Sequence, residues 1–470
     1  MKADSSISFH DTKAGKIRVF EPLKTEYVSI YSCGPTVYDY AHIGNFRNFV
    51  FVDVLRRTLQ LFGYKIKHVR NITDIDDKII RKANEQGVTV KDIAQQYEEA
   101  FWEDCRYLRL QEVEHSPRAT EHIDDMVDLV RKLEDKNYTY RKDGSIYFKV
   151  HKFKSYGKLS GINLENIQIG SRVSADEYTK EDARDFVLWK GYKEGEPYWD
   201  TDLGKGRPGW HLECSAMSHH FLGPSFDIHT GAEDLIFPHH ENEIAQSEAA
   251  NSEEYVRYWL HCAFLNMKDE KMSKSLGNII TAKKLREDGV SGLAVRFFLL
   301  SVHYRKPLAF SMEAITSANA AVTRIQTFYE RVRDLAGKNE EKSDNAFNER
   351  LDYYRSEWMS SLGDDLNTAK ALGALFELIR EGNALMDKDE ISSSQAGTLL
   401  LLLNDMDHVL DIMHPEEESI LDEEITKLVE RRQSARKAKD FAEADRIRDY
   451  LAGLGIVIED TREGIRWRKK

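Results

Sequence analysis

Only four cysteines occur in 470 residues: Cys33, Cys105, Cys214 and Cys262. They are too few and too scattered for a disulfide framework, and they fit a reducing cytosol. Long apolar runs are missing as well. The longest aliphatic stretch, Leu399 to Leu403, is far too short to span a bilayer. The opening MKADSSISFHDTK has no apolar core and does not read as a secretory signal. No internal repeat is present. Basic charge is in deficit, with 67 Lys+Arg against 80 Asp+Glu and a net charge of −13, which argues against a polyanionic partner for the whole surface. The deficit is uneven, however. From Lys427 to the end there are 13 basic and 8 acidic residues, a local +5 that leaves −18 on the first 426. A basic terminal module on an acidic body can hold nucleic acid locally, although a solvated helical face has the same composition.

What is present is ordinary globular material: 41% hydrophobic, 31% charged and 10% aromatic residues, in a chain long enough for several domains. YVSIYSC (27–33) predicts a strand ending at Gly34-Pro35. A helix follows from about Ile43, with Phe46, Phe49, Val52, Leu55, Leu59 and Phe62 at helical spacing, and Gly63 stops it. KIKHVRNIT is a second strand, so the opening is a β-α-β unit with parallel pairing. Two helices come next, the second capped by Thr89 with Asp92 three residues on. From Pro117 the pattern changes to one helix, a hairpin with an Asp143-Gly144 turn, and polar sequence to about Arg207, which reads as an insertion between two halves of one sheet domain. The α/β pattern resumes with a helix near His211 to Phe221, a strand at Ser225 to His229 and a helix expected to begin at Pro238. Long helices run from Ser311 to about Met413, interrupted by the polar 337–345, and the end reads as a basic helix and two strands.

Three constellations carry chemistry. The first is CGPTVYDYAHIGN (33–45), a strand-to-helix junction. The helix N-terminus there favours phosphate, Gly44 lets a ligand approach, and His42 and Asn45 can donate to phosphate oxygens. The second is Lys271-Met272-Ser273-Lys274-Ser275, two lysines and two serines able to wrap a triphosphate and neutralise developing charge. The third is metal-like: His239 and Glu243 are four apart, with Cys214 on the preceding helix and Cys33 at the end of the first strand. Two thiols, an imidazole and a carboxylate make a set zinc accepts, and two buried thiols with a solvated acid are the plain alternative. Two lookalikes fail. Position 244 is Ile, so His240-Glu241 lacks the second histidine of a zincin, and the acids at 74–77 lack an EF-hand glycine.

The HIGN and KMSKS pair resembles class I aminoacyl-tRNA synthetases, and the match to cysteinyl-tRNA synthetases runs through the whole chain. It is carried by YSCGPTVYDYAHIGN (31–45), NITDIDDKI (71–79), RPGWHLECSAMS (207–218), FDIHTGAEDLIFPHHENEIAQSE (226–248) and KMSKSLGN (271–278). The resemblance implies an α/β Rossmann-like catalytic domain in two parts, 1–116 and 208–265, around a connective insertion at 117–207. A KMSKS-containing stem-contact region at 266–310, an α-helical bundle at 311–415 and a small C-terminal α/β anticodon module at 416–470 would follow. It implies a zinc ion held by Cys33, Cys214, His239 and Glu243, and a cysteine pocket built from Thr73, Trp210, His211, His229 and His240. ATP, with Mg²⁺, would meet His42, Asn45, Gly231, Asp234 and Lys274, with Lys271 assisting catalysis. The partners would be tRNA-Cys, L-cysteine and ATP, acting on a cytoplasmic monomer with no membrane contact and no editing domain. Arg431, Arg432, Arg436, Lys437 and Lys439 would contact RNA phosphates, and Trp467 would stack on a base or pack in the terminal core. The chain departs from the family's glycine-rich form at 230–233, reading Thr-Gly-Ala-Glu, so only Gly231 is kept for close approach of adenosine. Two rivals stay open: a related ligase joining cysteine to an amino-sugar inositol, and a relative that binds nucleotide or RNA without catalysis.

Overall fold

The computed structural model describes residues 6–162, 184–267, 280–336, 345–414, scattered positions from 428 to 451, and 456–461 with 464–469. It divides into two units, Met1–Asp411 and Ile412–Lys470.

The first unit is organised by a four-stranded parallel sheet in the spatial order Val256–Cys262, Phe226–Ala232, Val28–Ser32, Ile66–Arg70. Strand alternation decides what each face carries. Val28 and Ile30 point to one face, where they pack with Phe51, Val52, Leu55 and Leu59 of the helix Ile43–Leu61. Tyr31 and Cys33 point to the other, packing with residues of the helices Ile123–Asp135, Trp210–Leu222 and Glu241–Asn251. The two middle strands lead outward in opposite directions, Val28–Ser32 to Ile66–Arg70 and Phe226–Ala232 to Val256–Cys262. Such a switch opens a crevice at the carboxyl ends of the middle strands, where open parallel sheets bind their ligands.

A separate five-stranded antiparallel sheet is built from Thr139–Lys142, Ser145–Phe148, Phe186–Gly191, Gly204–Pro208 and Trp199–Thr201. Its first hairpin turns at Asp143 and Gly144, both at positive φ, as the Asp-Gly dipeptide predicts. The helices Met312–Ala336, Asn345–Gly363, Thr368–Met386 and Ser393–Leu410 follow. In the second unit, Ile456–Thr461 pairs antiparallel with Gly464–Lys469.

Buried charge ties the helix Ile43–Leu61 to this helical stretch. Asp53 accepts from Arg296 Nη2 at 2.6 Å, from Arg57 Nε at 2.7 Å and from the Gln111 amide at 2.8 Å. Burial pushes the Asp53 carboxyl up, but the two guanidiniums outweigh it and hold it below its usual range. Arg296 also donates to the carbonyls of Leu410 and Leu108. Each charge is satisfied, so removing one partner would strand the others.

Asp104 is the contrasting case. It is buried, neither oxygen has a hydrogen bond among the described residues, and Arg286 comes no nearer than 3.9 Å. Burial pushes its carboxyl up to about 7 from an ordinary 3.8. Between those values the folded chain keeps a proton that the unfolded chain has released, so stability falls as pH rises through the window. Asp104→Asn should therefore raise the melting temperature by a few degrees at pH 8, an effect bounded by about 4 kcal/mol. At pH 4.5 thermal unfolding should show a much smaller difference.

Candidate active site and metal centre

Cys33 stands one residue past the strand Val28–Ser32, at the crevice, on the face that meets the helices Trp210–Leu222 and Glu241–Asn251. Cys214 comes from the first of these and Glu243 from the second. The regular helix begins at Glu241 rather than at Pro238. Phe237 is extended (φ −139°, ψ 132°), because a residue before proline is pushed out of the helical region, and a five-residue turn over Ile236–His240 delivers the two histidines. His239 and Glu243 nonetheless converge, with Nε2 and Oε1 3.0 Å apart.

The four expected ligands form one buried cluster whose donor atoms lie within 4.8 Å of one another. Cys33 Sγ is 4.0 Å from Cys214 Sγ and 3.9 Å from Glu243 Oε1, and Cys214 Sγ is 3.5 Å from His239 Nε2. A tetrahedral zinc with bonds of about 2.0–2.3 Å sets ligand separations near 3.3–3.8 Å, so this donor set fits the ion in both chemistry and spacing. Partners outside the four hold each donor in place. His229 Nε2 (2.9 Å) and the Tyr255 hydroxyl (3.1 Å) engage Glu243 Oε2 and leave Oε1 facing the cluster. His211 Nδ1 meets His239 Nδ1 at 2.8 Å, turning Nε2 inward. His240 Nε2 is 3.3 Å from Cys33 Sγ, and its Nδ1 meets His261 Nε2 at 2.8 Å.

Protonation follows from burial and neighbours. Burial pushes the Cys33 thiol well up, while the hydrogen bond with Cys33 draws Cys214 down to about 6. Burial works against charge on Glu243 and His239 too. His229 and His239 still hold Glu243 at about 2, and Glu243 lifts His239 to about 10. His240 and His261 are driven down by burial and by neighbouring imidazoles, His261 to about 3. Without a metal, His239 and Glu243 thus form a charged pair beside neutral His240 and His261, and a zinc ion bound there would displace the His239 proton. Trp210, 38% exposed, stacks on His239 with centroids 4.0 Å apart and is the solvent-facing edge of the cluster.

Thr73 is buried beside the Gly34-Pro35 turn, its hydroxyl donating to Glu213 Oε2 at 2.8 Å. Gly34 has no room for a side chain, since a Cβ there would sit 1.6 Å from the Asn71 carbonyl oxygen. At the start of the helix Ile43–Leu61, the Asn45 amide donates to His42 Nδ1 and the His42 amide to Asn45 Oδ1, each at 3.1 Å. Asn45 is therefore half of a capping box. A neutral His42 that accepts at Nδ1 carries its proton on Nε2. Gly231 owes its lack of a side chain to packing as well, because a Cβ would meet His240 Cε1 at 2.6 Å. Asp234 is exposed just past the strand end.

Lys271 and Lys274 lie outside the described residues. From residue 280 the described chain lies against the start of the helix Ile43–Leu61, where the Ile43 amide donates to the Ile280 carbonyl at 2.8 Å and Ala282 to Ala41 at 3.4 Å. Of the basic residues near the end, Arg431 and Arg436 are exposed and Arg432 is buried, while Lys437 and Lys439 are outside the described residues. Trp467 pairs by backbone with Ile458. Sequence reasoning passed over Glu213, Tyr255, Asn71 and His261. Glu213 alone left a signal: an acid amid the apolar and small residues of LECSAM, where a solvated acid has no place. Cys105 and Cys262 are buried thiols outside the cluster, each pushed up to about 12 by burial.

The family model described as "tRNA synthetases class I (C) catalytic domain" matches residues 19–320. "DALR domain" matches 357–414, and "Cysteinyl-tRNA ligase anticodon binding domain" matches 419–468. The cysteine–tRNA ligase of Leptospira interrogans serogroup Icterohaemorrhagiae serovar Lai (strain 56601) is 47% identical, covering 99% of both chains. That of Solibacter usitatus (strain Ellin6076) is 45% identical over 99% of this chain and 100% of its own. In fold the chain is similar to Mycobacterium tuberculosis methionyl-tRNA synthetase in complex with methionyl-adenylate. The TM-score is 0.60 at 15% identity, over 83% of this chain and 90% of that one. Agrobacterium radiobacter K84 agnB2 LeuRS gives 0.61 at 10% identity, over 84% and 85%. The fold is thus the class I synthetase α/β catalytic fold followed by helices. Among the described residues, no helix is long and apolar enough to cross a membrane.

Proposed function

This chain belongs to the cysteinyl-tRNA synthetase family of class I enzymes, and from that membership we propose that it activates L-cysteine with ATP and loads it onto tRNA-Cys, selecting cysteine through a zinc-held thiolate. The observation that carries the selectivity is the convergence of Cys33, Cys214, His239 and Glu243 beside a solvent-facing tryptophan.

The reaction has two displacements. The cysteine carboxylate attacks the α-phosphate of ATP, releasing pyrophosphate and giving cysteinyl-adenylate. The terminal ribose hydroxyl of the RNA then takes the acyl group, and AMP leaves. Neither step needs a protein nucleophile; positioning and charge stabilisation suffice. The Nε2 proton of His42 serves the phosphate chemistry, and Asn45 fixes that imidazole. Mg²⁺ accompanies ATP, and Lys271 and Lys274 neutralise phosphate charge. Asp234 and the strand end at Gly231 border the nucleotide side.

Zinc, when bound by the four residues, supplies a soft Lewis acid that favours a thiolate over serine's harder, far less acidic hydroxyl. His229 and Tyr255 hold Glu243, and His211 holds His239, so the donors keep their orientation while substrate comes and goes. Thr73, His229, His240 and Trp210 line the substrate side, and Trp210 closes over it. With selection done at binding, no editing domain is needed, and the segment 117–207 is structural or touches RNA. The helical stretch at 311–415 and the module at 416–470 serve tRNA recognition, a reading supported by the matched DALR and anticodon-binding models, and the exposed Arg431 and Arg436 would contact phosphates. The enzyme works as a cytosolic monomer with its thiols reduced.

Charging assayed with cysteine and with serine, before and after zinc removal, tests this. Cysteine charging should fall at least ~10²-fold on chelation and return with zinc, and serine should be about 10⁴-fold poorer than cysteine while zinc is bound, an advantage that shrinks once the metal is removed. Full cysteine charging by zinc-free protein would remove the metal from the account.

A further inference from the structure

A second cluster of metal-ligating side chains lies where the start of the helix Ile123–Asp135 meets the end of Trp210–Leu222. It is distinct from the centre just described, since His220 is six residues, about 9 Å along the helix axis, beyond Cys214. His122 Nδ1 lies 2.8 Å from Asp125 Oδ2, and His220 Nδ1 lies 3.0 Å from Asp125 Oδ1. Two imidazoles from different segments therefore converge on one carboxylate, with a donor atom of each residue within 4.8 Å of the others.

Aromatic packing holds these rings in place. Phe221 is the hub: His122 meets its ring at 5.3 Å and 67°, His220 at 4.7 Å and 62°, and His115 stacks on it at 4.7 Å and 30°. The two candidate imidazoles stand 4.9 Å apart at 69°. His122 is half-buried and His220 exposed, so water can complete a coordination shell from one side. The carboxyl end of the helix Trp210–Leu222 adds its negative dipole beside His220.

We propose that His122, Asp125 and His220 form a second site, for a divalent transition-metal cation of the zinc or nickel class, that clasps these two helices together. Two imidazole nitrogens and one carboxylate with open positions suit such ions and not magnesium or calcium, which prefer all-oxygen shells. The two imidazoles meet different oxygens of Asp125, Oδ2 at 2.8 Å and Oδ1 at 3.0 Å, so the carboxylate would either hold the ion with both oxygens or turn one inward, with slight ring rotations bringing the nitrogens to bonds of about 2.0–2.1 Å. With three donors and no thiolate, it binds more weakly than the buried cluster.

The test is a zinc titration of metal-stripped full-length protein against a chromophoric chelator. Wild type should take up two equivalents, one tight and one weak. His220→Ala and the nearly isosteric Asp125→Asn should each keep the tight equivalent and lose the weak one, with cysteine charging retained. Cys214→Ser should lose the tight equivalent and keep the weak one. Wild type binding a single equivalent would overturn the proposal, as would either surface variant titrating like wild type. Circular dichroism and melting of the metal-free variants separate loss of the site from loss of the fold.

Discussion

Cys214→Ser should lower kcat/KM for cysteine-dependent pyrophosphate exchange by roughly 10³-fold or more, over 4 kcal/mol of transition-state stabilisation. The thiol is buried among three other donors, 3.5 Å from His239 Nε2 and 4.0 Å from Cys33 Sγ. Serine there replaces a soft, easily ionised ligand with one of much higher pKa in a site that excludes water. Removing even an outer partner of a metal ligand typically costs 10–100-fold, so a ligand must cost more. Cys105→Ser is the matched control. Cys105 is also buried, but it packs away from the cluster, so exchange per folded molecule should stay within a few-fold. Cys214→Ser retaining a tenth of wild-type exchange, with its fold intact, would count against the assigned metal set.

Ending the chain after His414 should separate the two half-reactions. Cysteinyl-adenylate formation should stay within a few-fold, because every described residue of the proposed amino-acid and metal pocket lies in the first unit, Met1–Asp411. Charging should fall at least ~10²-fold, mostly through a raised KM for tRNA, since each lost phosphate contact weakens binding by counterion release. The matched anticodon-binding segment, 419–468, and the surplus of basic residues from Lys427 onward would both be gone. Both activities falling together would mean that the terminal module supports the catalytic fold rather than the RNA.

Local structure was largely legible in the sequence. The Asp143-Gly144 turn and the Thr89–Asp92 capping box stand where residue chemistry put them, because each depends on neighbours a few positions apart, and the β-α-β opening pairs in parallel because its helix crosses between the strands. The four candidate ligands were legible as residue types, and the structure brings them into one cluster. Its assembly was not, because strand alternation says that Cys33 shares a face with Tyr31 but not which helices cover that face. The helix expected from Pro238 starts three residues later, since the extended residue before proline makes a turn of the segment that carries His239 and His240. Glu213, Tyr255 and His261 act through contacts with residues far along the chain, at 73, 243 and 240, and no local pattern announces such pairs except an acid set in an apolar run.

X-ray absorption at the zinc K-edge tests the central claim most directly, with the zinc-loaded enzyme measured alone and then with saturating cysteine. A third sulfur should join the two from Cys33 and Cys214 when cysteine binds, and serine should leave the spectrum unchanged. An unchanged sulfur count with cysteine bound would mean that the amino acid is recognised without the metal.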